Sequence, residues 1–139
     1  MNADRAFLDT NLFVYLYSET DSVKRERVLA AINTFDRVVS TQVLNEFCGV
    51  ALRKLRHPVQ AVKNALGEIC ETCRLAAIDE TIIMKALDVH ERYGYSYYDS
   101  LIIASALEQK CRYLLSEDMN DGQVIEGYLT IKNIFSGKD

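Results

Sequence analysis

The sequence predicts an α/β fold built on a central, mainly parallel β-sheet, and three observations support this prediction. Short apolar segments rich in β-branched residues alternate with longer segments whose apolar residues recur at helical spacing, which is typical of βαβ units. The length of 139 residues suits one domain, and residues 1–139 contain no linker or internal repeat. With 49% hydrophobic and 26% charged residues, the chain has the composition of a folded globular protein.

Short apolar or β-branched segments mark the strands. The predicted strands cover residues 6–8, 37–41, 75–78, 112–116 and 129–134. Asp9-Thr10-Asn11 interrupts the apolar sequence abruptly after the first of them. Ser40 and Thr41 close the second strand and can cap the helix that follows, because their hydroxyl groups accept hydrogen bonds from free backbone N–H groups. Residues 117–128, between the last two strands, are expected to form a polar turn.

Helical spacing of apolar residues marks the helices between these strands. The predicted helices cover residues 12–17, 21–35, a stretch that runs to about 56, then 59–73, 80–93 and 97–110. Pro58 and Gly94 supply two of the boundaries. In the helix over residues 80–93, the apolar face is predicted to carry Ile83, Ala86, Leu87 and His90. The helix over residues 97–110 is apolar nearly all round, which is typical of a buried helix.

Charge, hydropathy and cysteine usage exclude several classes of protein. Acidic residues outnumber basic residues by 20 to 16, and the net charge of −4 does not favour a nucleic-acid binder. No apolar run approaches the ~20 residues that cross a bilayer. Residues 1–5 lack the pattern of a signal peptide, so we expect a cytosolic protein with no membrane partner. Disulfides are then improbable, and the CxxC pair Cys70 and Cys73 lacks further zinc ligands, so we expect buried thiols.

Several acidic residues fall where predicted strands end. Asp9 ends the first strand, Glu46 lies one turn into the helix after the second, and Asp118 follows the strand that closes at Ser116. Asp99 lies at the start of the buried helix. Because ligands of parallel sheets bind outside the carboxyl ends of the strands, we expect these four carboxylates to converge. Four close carboxylates repel one another unless they protonate or hold a cation, and Mg²⁺ or Mn²⁺ prefers such oxygen ligands.

Most of these acids also have a purely structural interpretation. Asp99 follows Ser96 by three residues, which reproduces a capping box, and an acid near a helix N-terminus is stabilised by the helix dipole. Glu46 can be an ordinary solvated helix residue. Asp118 and Asp121 can be turn formers. The acid after the first strand, which lies between two apolar segments, has no such ready explanation.

Four motifs occur together in a fixed order along the chain. They are FLDTN at residues 7–11, TQVLNEF at 41–47, YYDSLIIASA at 97–106 and LLSEDMNDG at 114–122. In their order and spacing these motifs resemble those of a PIN domain over nearly the whole chain. The small single-domain form is similar to the VapC-type toxins of toxin–antitoxin pairs. The resemblance implies a three-layer α/β/α domain over residues 1–139, with an acidic site at the carboxyl ends of the strands.

The resemblance also implies an activity, which is that of a Mg²⁺- or Mn²⁺-dependent endoribonuclease. It makes Asp9 and Asp99 direct metal ligands, Asp118 a direct or water-mediated ligand, and Glu46 the residue that orients or deprotonates the attacking water. Supporting roles fall to the polar residues Thr10, Asn11, Ser116 and Asp121. The implied partners are an RNA substrate, a small VapB-like antitoxin that blocks the acidic site, and a second copy of the chain in a homodimer or a larger assembly.

An acidic protein that cuts RNA needs local basic groups to hold phosphates. Arg53, Lys54 and Arg56 close the helix that carries Glu46 and are the candidates for this contact. Their structural alternative is favourable interaction with the negative end of the helix dipole.

Two other functions also fit acids gathered at strand ends. One is a Mg²⁺-binding phosphotransfer or receiver-like signalling domain. Phosphatases of the haloacid-dehalogenase type, however, need a second Asp where Asn11 stands, and a receiver is expected to carry Lys near Ser116-Glu117. The other is a catalytically silent PIN-like module that binds RNA without cutting it.

Overall fold

Pairs of helices separate the first four of six strands along residues 3–136, which the computed structural model describes, and the α/β prediction is confirmed. The strands are β1 (Arg5–Leu8), β2 (Asp36–Ser40), β3 (Arg74–Ala76), β4 (Tyr113–Leu115), β5 (Val124–Ile125) and β6 (Leu129–Lys132). The helices are α1 (Thr10–Tyr17), α2 (Ser22–Ile32), α3 (Thr41–Arg53), α4 (Val59–Thr72), α5 (Glu80–Tyr93) and α6 (Tyr97–Glu108). That one domain spans residues 1–139 stays a prediction, because residues 1, 2 and 137–139 lie outside the described residues.

The strands form one sheet in the order β3-β2-β1-β4-β6-β5, flanked by the helices in the predicted three-layer arrangement. Only the pairing of β5 with β6 is antiparallel among the described pairings. In the central strand, Phe7 pairs with Val38 of β2 on one side and with Leu114 of β4 on the other. Phe7 is completely buried, and its removal from water contributes about 2 kcal/mol.

The helices that carry the candidate residues begin at side-chain caps. Asp9 directly follows β1, and its carboxylate accepts a hydrogen bond from Thr10 N–H, so α1 begins at Thr10 rather than at the predicted residue 12. Ser40 caps α3 by accepting from Val43 N–H, as the Ser-Thr pair predicted. Ser96 caps α6 in the same way. The caps fix where each helix begins relative to the strand or loop before it.

Two sequence predictions about the second half of the fold are wrong. The segment expected to be a polar turn contains the two-residue strand β5, which is too short to produce an alternating pattern. The buried face of α5 carries Ile82, Ala86 and Val89. Ile83 and Leu87, which the prediction placed on the apolar face, are 40% and 49% exposed.

The cysteines form no disulfide among the described residues, and their burial differs from the prediction. Cys111 is buried, Cys48 and Cys73 are half-buried, and Cys70 is exposed. The expectation of buried thiols therefore holds for only one of the four. Across residues 3–136, no helix has both the length and the apolar character that crossing a membrane requires.

Candidate active site

An open cavity of about 520 Å³ lies at the edge of the sheet where β1, β2 and β4 end. Its charged and polar lining residues are Asp9, Thr10, Asn11, Tyr15, Glu46, Arg53, Lys54, Asp99 and Asp118. The structure thus places all four predicted carboxylates along one cavity, although they come from four separate segments of the chain. The parallel topology explains the positions of Asp9, Glu46 and Asp118, because the loops after neighbouring parallel strands emerge at the same edge. Asp99, in contrast, comes from the first turn of α6.

Asp9 is the most deeply buried of the four acids, with 6% of the residue exposed. One carboxylate oxygen accepts from Thr10 N–H at 2.7 Å, and the other accepts from the Ser116 hydroxyl at 2.7 Å. Burial raises the pKa of Asp9 to about 6, and the negative charges of Asp99 and Glu46 act in the same direction against these two hydrogen bonds. A nearby cation would favour the charged form of this carboxylate.

The carboxylate of Glu46 is held from the start of α1. The Thr10 hydroxyl donates a hydrogen bond to Glu46 Oε1 at 2.7 Å, and this bond joins α1 to α3. Thr10, one of the residues predicted to support the acids, therefore restricts the direction of the Glu46 carboxylate. Because the two residues are 36 positions apart, this contact has no direct signature in the sequence.

Asp118 is held by Asn11 and Ser116. Asn11 Nδ2 donates to Asp118 Oδ2 at 3.2 Å, and Asp118 N–H donates to the Ser116 hydroxyl at 3.3 Å. The other amide atom of Asn11, Oδ1, is buried and has no hydrogen-bond partner among the described residues. A buried acceptor without a partner is costly, so this oxygen is suited to a donor or a cation in the cavity.

Asp99 takes part in a helix cap and also lines the cavity. Its backbone N–H donates to the Ser96 hydroxyl at 3.2 Å, which is the capping interaction, while its side chain lines the cavity. Burial raises the pKa of Asp99, and the charges of Asp118 and Glu46 add to the increase against the hydrogen bond with Ser96. The acids of this cavity therefore repel one another across it.

Two predicted residues lie away from the cavity. The Asp121 carboxylate accepts from Asn133 N–H at 2.9 Å, and this bond ties the loop after β4 to the segment after β6. Arg56 follows α3 with a positive φ of 54° and is not among the lining residues. The other basic candidates, Arg53 and Lys54, do line the cavity.

Sequence reasoning missed Tyr15, whose side chain also lines the cavity. Its hydroxyl bonds to Lys24 and Glu117, which belong to α2 and to the loop after β4. The available signal was the spacing within α1, because Tyr15 follows Asn11 by four residues and shares its helix face. The contacts with Lys24 and Glu117 depend on the tertiary fold and have no signature in the sequence.

The donor atoms of the cavity suit a hard divalent cation. Carboxylate and amide oxygens are the ligands that Mg²⁺ and Mn²⁺ prefer, and the cavity offers four carboxylates together with the unpartnered Asn11 Oδ1. Within residues 3–136, no three or more His, Cys, Asp or Glu side chains are already clustered as a metal site. The carboxylates thus line the cavity but do not converge on one point. The match to a divalent cation therefore rests on the chemistry of the donor atoms.

Comparison with solved structures finds the same fold in toxins of toxin–antitoxin pairs. A toxin–antitoxin complex from Klebsiella pneumoniae matches with a TM-score of 0.72 and 21% identity, covering 94% of this chain and 98% of that one. VapC20 of Mycobacterium tuberculosis, a sarcin–ricin loop cleaving toxin, matches with a TM-score of 0.66 and 17% identity, covering 78% and 86%. DNA-bound VapBC from Salmonella typhimurium matches with a TM-score of 0.66 and 16% identity, covering 96% and 99%.

The sequence itself identifies the family. No curated protein matches the chain at a significant level. The family model of the PIN domain, in contrast, matches residues 6–120 of the 139. This match includes all four acids of the cavity and the polar residues that hold them, and it agrees with the fold and with the resemblance of the four motifs. The chain therefore belongs to the PIN domain family.

Proposed function

We propose that this protein is a Mg²⁺- or Mn²⁺-dependent endoribonuclease and the toxin of a VapBC-type toxin–antitoxin pair. One observation carries the proposal: four carboxylates from four segments line one open cavity, which also has basic residues on its wall. The fold shared with VapC20, a toxin that cleaves the sarcin–ricin loop, supports RNA as the substrate.

In this proposal the acids divide into cation ligands and a proton acceptor. Asp9 and Asp99 would hold the cation directly, and Asp118 would hold it directly or through water. When bound, the cation would lower the pKa of water and stabilise the charge that develops on the phosphoryl group. Low exposure helps Asp9 in this role, because a partly desolvated carboxylate binds a cation more strongly than a hydrated one.

Glu46 is the proposed general base. Its carboxylate, oriented by the Thr10 hydroxyl at 2.7 Å, orients the attacking water and accepts a proton from it as the bond between the water oxygen and phosphorus forms. The bond between phosphorus and the 3′ oxygen then breaks, and solvent protonates the leaving oxygen. The products are a 5′-phosphate and a 3′-hydroxyl end.

Basic residues on the cavity wall are proposed to hold the RNA backbone. Arg53 and Lys54 lie at the end of α3, on the wall that also carries Glu46. Contacts with phosphates flanking the cleaved bond would position the strand without reading its sequence. Arg56 is not among the lining residues, and in this proposal it contacts a phosphate farther from the cleaved bond.

The proposal includes protein partners in the cytosol. The neighbours from Klebsiella pneumoniae and Salmonella typhimurium were crystallised as toxin–antitoxin and DNA-bound VapBC assemblies, which supports a VapB-like antitoxin that covers the acidic cavity. Self-association into a homodimer is supported by apolar side chains that α5 leaves exposed. Ile83, Met84 and Leu87 are 40%, 67% and 49% exposed, and their spacing places them on one side of the helix.

Cleavage of RNA by the purified protein tests the activity directly. We expect cleavage in Mg²⁺ or Mn²⁺, none in excess EDTA, and a loss of at least about 100-fold in Asp99→Asn, because a charged ligand is removed. Asp88→Asn, an exposed acid of α5 outside the cavity, is the matched control and should keep wild-type activity. The 3′ ends of the products should be hydroxyls that accept a ligated adaptor.

Other outcomes would support the competing functions. Undiminished cleavage in EDTA, or by Asp99→Asn, would reject the metal mechanism. Calorimetric Mg²⁺ binding together with RNA binding but no cleavage would indicate the catalytically silent module. Stable labelling of Asp9 by acetyl phosphate would instead favour a phosphotransfer domain.

A further inference from the structure

Three side chains next to the acidic cavity form a closed set of hydrogen bonds. Lys24 Nζ donates to Glu117 Oε2 at 2.6 Å and to the Tyr15 hydroxyl oxygen at 2.8 Å. The Tyr15 hydroxyl donates to the other oxygen of Glu117 at 2.6 Å. Each side chain thus contacts the other two, and the set joins α1, α2 and the loop after β4.

Two aromatic rings lie close to the Lys24 ammonium in addition to these bonds. The ammonium lies 4.4 Å from the ring centroid of Tyr15 and 5.3 Å from that of Phe135, within the range of cation–π attraction. The 2.6 Å contact between Lys24 and Glu117 thus joins this end of the loop to α2.

This set of contacts borders the proposed cation ligands. Glu117 immediately precedes Asp118 in the sequence, and Tyr15 lines the acidic cavity itself. Asn11, one turn before Tyr15 on α1, donates to Asp118 Oδ2 at 3.2 Å. Helix α1 therefore holds two consecutive acids of the loop, and Lys24 of α2 also holds the first of them.

We propose that Lys24, Tyr15 and Glu117 form a clamp that positions Asp118 toward the cation, so that Lys24 and Glu117 are positioning residues of the nuclease. The inference rests on the proposed function, because Asp118 is a ligand only there. A contribution to folding alone does not account for the arrangement, since partly exposed ion pairs stabilise proteins little. Residues that orient metal ligands, in contrast, strongly affect metal affinity.

The chain provides a matched ion pair for comparison. Lys85 and Glu126 approach to 2.8 Å, with side-chain exposures of 39% and 34%, against 33% and 24% for Lys24 and Glu117. Both pairs connect a helix with a loop of the second half of the chain. Neither Lys85 nor Glu126 lines the acidic cavity, so their pair lacks any link to the proposed ligands.

The experiment compares Lys24→Met with Lys24→Arg and Lys85→Met in the full chain. The readouts are Mn²⁺ affinity without RNA by calorimetry, the Mg²⁺ concentration for half-maximal RNA cleavage, and the melting temperature. We expect Lys24→Met to weaken Mn²⁺ binding and raise the half-maximal Mg²⁺ concentration by about 10-fold, as orienting residues do. The rate at saturating Mg²⁺ should stay close to wild type, and Lys24→Arg should recover most of the affinity.

A double variant tests whether Lys24 acts through Glu117. We expect Lys24→Met with Glu117→Gln to bind Mn²⁺ no more weakly than Lys24→Met alone, because both changes break the same contact. Equal Mn²⁺ affinity of Lys24→Met and wild type would overturn the clamp and leave the nuclease proposal intact. A similar loss in Lys85→Met would also overturn it. A wild-type protein that binds no Mn²⁺ would overturn both proposals.

Discussion

At the scale of single residues, the buried position of Asp9 suits a cation ligand but destabilises the folded protein when no cation is bound. Its pKa is raised to about 6 mainly because burial removes water from the carboxylate. Since unfolded Asp titrates near pH ~4, a difference of about 2 units corresponds to about 3 kcal/mol against the folded state. This cost is absent below about pH 4, grows between about pH 4 and 6, and is complete above that range.

Replacement of Asp9 should therefore stabilise the protein when no metal is present. We expect Asp9→Asn in EDTA to raise the free energy of unfolding by about 1–2 kcal/mol near neutral pH, because the buried charge disappears while the side-chain shape remains. Near pH ~4 the difference from wild type should vanish, since wild-type Asp9 is then protonated. Urea denaturation over this pH range, with Asp88→Asn as the exposed control, measures both values.

The opposite ordering would contradict this account. If Asp9→Asn were less stable than wild type near neutral pH in EDTA, the hydrogen bonds from Thr10 N–H and the Ser116 hydroxyl would outweigh the cost of burial. Saturating Mg²⁺ should reverse the expected order, because a cation that binds only the folded wild type stabilises it.

The residue types of the site could be predicted from the sequence, but their contacts could not. Asp9, Thr10 and Asn11 stand out because they interrupt an apolar sequence directly after a strand. The bonds from Thr10 to Glu46 and from Asn11 to Asp118 join residues 36 and 107 positions apart. The crossover connections of the sheet bring these segments together. Which polar residue bonds to which acid therefore depends on the tertiary structure.

At the scale of secondary-structure elements, α5 shows that the sequence predicts the bounds of a helix better than its buried face. Its bounds match the prediction, because Asp79 caps the start and Gly94 ends the helix at a φ of 77° that suits glycine. Its buried face was assigned wrongly, since Ile82 and Ile83 begin two neighbouring apolar stripes of similar length. Packing against α6 selects the stripe that starts at Ile82. The other stripe stays on the surface.

The exposed apolar stripe of α5 makes self-association testable at this scale. We expect Met84→Glu to shift the protein from dimer to monomer, because a charge in an apolar interface loses its hydration. The fold should be unaffected, since Met84 is 67% exposed. Sedimentation velocity measures the change. Val23→Glu on α2, which replaces a residue that is 71% exposed, is the matched control and should leave the dimer intact.

Two results would count against this surface. An unchanged dimer in Met84→Glu would place the contact elsewhere on the chain. Dissociation in both variants would show that added negative charge, rather than the apolar stripe of α5, controls association.

At the scale of the whole molecule, the charge distribution is more informative than the net charge. The chain has 20 acidic and 16 basic residues, and the four acids of the cavity equal the difference. The value of −4 argued against a nucleic-acid partner as long as the charge was treated as uniform. Concentrated in one cavity that also carries Arg53 and Lys54, it is instead compatible with RNA once divalent cations neutralise the acids.

This arrangement predicts how RNA binding responds to salt. If Arg53 and Lys54 each contact one phosphate, replacing both with Gln should lower the slope of log affinity against log salt by about 1.4, that is ~0.7 per contact on single-stranded RNA. Fluorescence anisotropy with labelled RNA at fixed Mg²⁺ measures the slope, in an Asp99→Asn background that we expect to prevent cleavage. Lys63→Gln, on the exposed side of α4, removes one charge outside the cavity, as each cavity substitution removes one inside it, and should leave the slope unchanged. Equal slopes for the cavity variants and wild type would reject these phosphate contacts, whereas a decrease with Arg56→Gln would extend the RNA path beyond the end of α3.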